Sequence, residues 1–182
     1  MMVKIAFYKG EGTLINRIVR RWTSSPYSHA ELVMPDNKTW IGISPFLNSE
    51  VSARNVLKDP NLNLEDWDFL NFDVTDEQAS IIMEFYEQTK GNRYDWIGML
   101  LSQVGPFVIK QEKKWYCSEW IAYALRIAGV FDWRTIKIYD QHDLSPATLY
   151  RIAREAQAYN ENKKLIDDNT NQQTLRGQYT KT

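Results

Sequence analysis

One cysteine, Cys117, and two histidines, His29 and His142, are all that 182 residues offer to thiol and imidazole chemistry. A single thiol excludes an intramolecular disulfide, and one Cys with two distant His does not assemble a structural zinc set. Long apolar runs are also missing. The strongest stretch, Trp96 to Ile109, is short and is interrupted by Gly98, Gly105 and Pro106, so no integral membrane segment is expected. The N-terminal Met1 to Gly10 lacks the apolar core of an export signal and reads as a strand. With a lone thiol, that points to a reducing, cytoplasmic setting. Neither charge sign dominates: 22 basic residues face 23 acidic ones, leaving a net charge of −1. No whole-protein field calls for nucleic acid or an anionic membrane.

Aromatics are plentiful at 13%, which suits a large aromatic core or a pocket lined with rings. Val3, Ile5 and Phe7 alternate with Lys4, Ala6 and Tyr8, the pattern of a half-buried strand. Thr13 can cap a helix that carries Leu14, Ile18 and Trp22 at helical spacing, with Arg17, Arg20 and Arg21 as a solvated basic face. Tyr27 to Met34 and Thr39 to Ser44 read as a hairpin around the turn Pro35 to Lys38. Glu50 to Leu57 is a further strand candidate. Trp67 to Val74 is a better one, with Trp67 and Phe69 on one face and Leu70, Phe72 and Val74 on the other.

Thr75 and Gln78 form a capping-box pattern ahead of a helix that turns Ala79, Ile82, Met83 and Tyr86 inward. Tyr94 to Gln103 is expected to be helical. Another helix opens at Cys117 or Ser118 and buries Ile121, Ala124, Leu125 and Ala128 until Gly129 ends it. Thr135 to Tyr139 is a short strand candidate. Ser145 and Pro146 mark a last helix start, with Leu149, Ile152, Ala153 and Ala156 as its buried stripe. The pattern predicts an α+β domain over residues 1–158: a small antiparallel sheet packed with helices. Residues 159–182 are polar and are expected to form a flexible tail.

Cys117 stands where a strand-like stretch meets a helix start. There the helix dipole and unpaired amides lower a thiol's pKa and offer donors to an oxyanion. His29 is the better base. It shares a strand face with Glu31, about 7 Å away along the backbone, within reach of a carboxylate that charges or orients the ring. His142 sits in the polar run Asp140 to Asp143, where exposed histidines are common. Glu119 faces away from Cys117 along its helix, and Asp95 is expected to fix a turn.

Four segments carry a resemblance: Tyr27-Ser28-His29-Ala30-Glu31-Leu32-Val33, Tyr94-Asp95-Trp96-Ile97-Gly98, Trp115-Tyr116-Cys117-Ser118-Glu119-Trp120 and Leu144-Ser145-Pro146. In this order they resemble the permuted NlpC-like cysteine hydrolases of bacteria and bacteriophages, papain-fold relatives that include the YiiX-like group. In that permuted group the histidine precedes the cysteine, as His29 precedes Cys117 here. The resemblance spans roughly residues 3–150. It implies a circularly permuted papain-like fold, with Cys117 as nucleophile, His29 as base and no metal or organic cofactor. It also implies a third polar residue on the strand after the histidine, where Ser44 is the one polar candidate. Glu31 and Ser44 are both open for that place. Tyr27, Trp115 and Tyr116 flank the motifs as candidate pocket walls.

The expected activity is cleavage of an amide or ester bond through a covalent acyl-thioenzyme. The substrate would be a peptide, an amide or an acyl lipid. A lipid or thioester acyltransferase of the lecithin retinol acyltransferase type, and a non-catalytic binding protein that kept the fold, are the alternatives.

Overall fold

The computed structural model describes residues 1–44, 49–95, 114–131 and 144–179. Its centre is a five-stranded antiparallel sheet in the order β4-β3-β2-β1-β5. The strands are β1 (Met2–Tyr8), β2 (His29–Val33), β3 (Thr39–Ile43), β4 (Val51–Asn55) and β5 (Trp67–Asp73). Alternation sets which residues face which side. Val3, Ile5, Phe7, Ala30, Leu32, Ile41, Ile43, Leu70 and Phe72 belong to the main core. Ala6, Val33 and Trp40 form a smaller cluster on the other face, against which Trp67, Phe69 and Leu62 pack. The two faces expected for the strand at Trp67 are the two observed.

Helices α2 (Asp76–Thr89), α3 (Cys117–Ile127) and α4 (Pro146–Tyr179) contribute to the main core. The capping box is present: Thr75 Oγ1 accepts from Gln78 N at 3.1 Å, and Gln78 Oε1 accepts from Thr75 N at 3.0 Å. Trp120 on α3 donates its indole N–H to Thr89 Oγ1 at 2.9 Å, which pins α3 to α2 without an orphaned polar group. The Ser118 hydroxyl donates to Leu144 O and ties the start of α3 to the start of α4. Two short parallel strands, β6 (Arg93–Tyr94) and β7 (Lys114–Trp115), lead into Cys117. A strand therefore occupies the start of the stretch expected to be helical from Tyr94. The remainder of that stretch, the Thr135–Tyr139 candidate and His142 lie outside the described residues.

Residues beyond 159 continue α4 as helix to Tyr179. The stripe Leu149, Ile152, Ala153 and Ala156 docks the first turns, and elongation from a formed helix costs far less than nucleation, so polar residues extend it. Helix α1 (Leu14–Thr23) forms where its spacing predicts, but Leu14, Ile18 and Trp22 lie on the surface and no α1 residue belongs to either core cluster. Polar ties hold α1 instead. Asn16 Oδ1 accepts from Thr13 N at 3.0 Å, and Asn16 Nδ2 donates to Ser28 Oγ at 2.9 Å. Arg20 donates to the carbonyls of Gly10 and Glu11. No helix among the described residues is long and apolar enough to cross a membrane.

Candidate active site

His29 and Cys117 come from opposite faces of the sheet and meet at its end. Cys117 is the first residue of α3 and belongs to the main core. His29 is the first residue of β2 and, by alternation with Ala30 and Leu32, points to the other face. A side chain at the end of a strand can be reached around the edge of the sheet, and there the thiol and imidazole stand near enough for each to shift the other's titration. Their register is held by β1, where Tyr8 pairs with His29 and Phe7 with Ala30.

The electrostatics follow from this contact. Burial alone pushes the Cys117 thiol up. The facing imidazolium, by charge and hydrogen bond, and then the backbone N–H groups of Ala30 and Ser118 outweigh it and hold the thiol below its ordinary 9.0. Burial pulls His29 down, but Cys117 and then Glu31 dominate and push the ring up to about 10. The two groups titrate as a coupled pair in which each favours the charged form of the other.

Glu31 completes the arrangement from the same strand. His29 Nε2 lies 3.3 Å from Glu31 Oε1. Arg54 on β4 grips the other carboxylate oxygen, with Nε and Nη2 each 3.0 Å from Oε2. Its Nη1 reaches Asp59 Oδ2 at 2.6 Å, and its guanidinium lies 5.2 Å from the Trp40 ring centroid. Burial pushes the Glu31 carboxyl up. The hydrogen bond and charge of His29, then Arg54, hold it below its ordinary 4.5. Gly42 on β3 makes room for that side chain: a Cβ there would stand 3.0 Å from Glu31 Cγ.

Beside His29 opens a cavity of about 320 Å³. Tyr8, Trp67 and Tyr94 supply its rings; Asn16, Asn61 and Asn63 supply amides. Ser44 lines it together with His29 and Glu31. Trp67 contacts the imidazole edge-on, with ring centroids 6.2 Å apart. Burial pushes the Tyr94 phenol well above 10, reinforced by the neighbouring Cys117.

The three aromatics expected as pocket walls do not line this cavity. Tyr27 is a core residue whose ring packs at a tilt against Phe7 and Tyr150, its hydroxyl donating to Asp68 Oδ2 at 2.9 Å. Trp115 packs with Phe85 and Tyr123. Tyr116 is buried in the main core and precedes Cys117 as the cap residue of α3. Asp95 is buried, and its backbone N–H donates to Trp115 O at 2.8 Å beside β6 and β7. Arg54, Gly42, Trp67 and Tyr8 are the site residues that sequence reasoning misses. Strand register brings them there, and no local motif marks it.

No family model matches the chain, and no curated protein matches it in sequence. Among solved structures it is similar to the metalloprotein yiiX from Escherichia coli O157:H7, at a TM-score of 0.50 and 16% identity. The match covers 70% of this chain and 66% of that one, so this chain spans about two thirds of its neighbour's length. At that identity the likeness concerns the fold alone. The neighbour is described as a metalloprotein. Among the described residues here no three His, Cys, Asp or Glu side chains gather into a metal site, and Glu31 is already engaged by Arg54 and His29. The chain has an α+β, YiiX-like fold built on a small antiparallel sheet.

Proposed function

We propose that this protein is a cysteine hydrolase of the permuted papain-like, NlpC-like type, acting on an amide or ester carbonyl through an acyl-thioenzyme. The observation that carries the reading is the run Cys117–His29–Glu31–Arg54, in which a thiol at a helix start faces an imidazole backed by an anchored carboxylate. The Cys117 thiolate attacks the carbonyl carbon and a carbon–sulfur bond forms. Amide N–H groups of the first turn of α3 are the donors available to the oxyanion. The leaving amine or alcohol departs with the proton held by His29. A water then gives a proton to His29 and attacks the thioester. Breaking the carbon–sulfur bond frees the carboxylic acid and restores the resting pair. Glu31 keeps the ring oriented and charged and touches no reacting atom, so it is a positioning residue.

Thiol reactivity tests this. Iodoacetamide at pH 6 is expected to alkylate Cys117 faster than a model thiol, and His29→Ala removes the excess while His142→Ala keeps it. Peptide-amide, thioester and ester probes should leave a mass increment on Cys117. Wild-type reactivity equal to the model thiol, or turnover unchanged in Cys117→Ser, overturns the proposal.

A further inference from the structure

Helix α1 presents an apolar stripe to solvent along one wall of the cavity. Leu14, Ile18 and Trp22 are 64%, 49% and 45% exposed, one helical turn apart. Going round the helix, the stripe continues into Ile15 and Val19, which line the cavity beside His29. On its other flank lie Arg17 and Arg21, both exposed and without a carboxylate partner among the described residues. Arg20, the third arginine, is turned inward to backbone carbonyls. Helix α1 contains no acidic residue. The segment forming the other wall, which contributes Asp59, Asn61, Leu62 and Asn63 to the cavity, exposes Leu57 and Leu64.

A solvent-facing helix that sets Leu, Ile and Trp beside unpaired arginines has the composition of an interfacial helix, with its apolar side in the headgroup–acyl boundary and its cations among anionic headgroups. We propose that α1 docks the cavity beside His29 onto an anionic lipid surface. Charge complementarity selects this occupant: two free cations border the stripe, whereas the chain as a whole carries −1. Continuity selects the place, because one apolar face runs from the exposed stripe into the cavity. Docking of this kind is reversible, since one short helix buries too little for permanent attachment. It does not depend on the chemistry of Cys117.

The test is co-sedimentation of the full chain with vesicles of phosphatidylcholine alone and of phosphatidylcholine with roughly one third phosphatidylglycerol. Binding is expected to the anionic vesicles, weaker to the neutral ones, and falling as salt is raised. Arg17→Gln with Arg21→Gln should lower partitioning about 25-fold, about fivefold per charge removed. Ile18→Ser with Trp22→Ser should lower it about tenfold or more while leaving circular dichroism and Cys117 alkylation unchanged, because both side chains lie outside the core. Cys117→Ser should bind as wild type does, so failure of the catalytic reading and failure of docking give different results. Absence of binding to anionic vesicles overturns the proposal. So does equal binding to both vesicle types, or a self-association that Ile18→Ser abolishes.

Discussion

Neutralising Glu31 while keeping its shape separates charge from position at the site. In Glu31→Gln the amide oxygen can still accept from His29 Nε2, and Arg54 keeps Asp59 at 2.6 Å, so no guanidinium is orphaned. What disappears is a full negative charge 3.3 Å from the ring. With an effective dielectric near 20, two unit charges at that distance attract by about 5 kcal/mol. Arg54, bonded to the other oxygen, offsets part of this. A fall of about 1–3 units in the His29 pKa is the expected net effect. The ratio of thiolate–imidazolium to neutral thiol–imidazole then falls by roughly 10- to 1,000-fold.

Iodoacetamide rates across pH read that ratio. Wild type should react on a plateau that begins below 9.0, the ordinary thiol value from which Cys117 is lowered, because the charged ring holds the thiolate there. The plateau should persist until the ring loses its proton near 10. Glu31→Gln should react at least about tenfold more slowly at neutral pH and recover only as pH climbs into the range of an ordinary thiol. Glu31→Ala, which removes both charge and hydrogen bond, should fall at least as far. A Glu31→Gln profile that superimposes on wild type would refute the claim that this carboxylate supports the pair and would return the third position to Ser44.

Gly42→Ala should lower stability by about 1–3 kcal/mol in urea and shift the alkylation profile toward that of Glu31→Gln, because its Cβ would crowd Glu31 Cγ at 3.0 Å. Arg54→Met leaves a buried carboxylate with one partner; Arg54 is itself partly exposed, so the cost should be about 1–3 kcal/mol, with acid unfolding moved to higher pH. Glu31 is depressed below 4.5, so its stabilisation is complete above that value and is lost as pH falls. Urea midpoints of wild type should therefore drop below pH 4.5 more steeply than those of Glu31→Gln. Thr75→Ala should cost about 1 kcal/mol through the cap of α2 and leave Cys117 alkylation unchanged, a control separating general destabilisation from effects at the site.

The parts of the molecule that could be read from sequence are those whose signal is local. Alternation placed β1 and β5. Caps and helical spacing placed α2, α3 and the start of α4, and a cysteine at a helix start needed nothing distant to be noticed. Arg54 and Gly42 gave no such signal. Both reach Glu31 only through the pairing of β2, β3 and β4, and register is a property of three strands at once. Stripes were the other ambiguity. Leu149, Ile152, Ala153 and Ala156 share a helical period with Leu14, Ile18 and Trp22, yet the first set is buried and the second faces solvent. Periodicity reports that a face is apolar and is silent on what covers it.

That His29 and Glu31 share a face of β2 constrains how the site can vary. The spacing of two residues fixes both side chains to one surface of the sheet, so the base and its carboxylate move together with β2, while the nucleophile moves with α3. Any shift between the helical layer and the sheet changes the Cys117–His29 contact and leaves His29–Glu31 intact. Substitutions in the core that α3 and β2 share, such as Ile121→Val or Leu32→Val, should therefore weaken thiol activation more than they alter the Glu31-dependent alkaline limit. Each removes one buried methyl(ene) group at about 0.5–1.5 kcal/mol, a loss that urea unfolding can measure alongside the alkylation profile. If the alkaline limit moved while the neutral-pH rate stayed put, the carboxylate and the ring would not be acting as a unit carried by one strand.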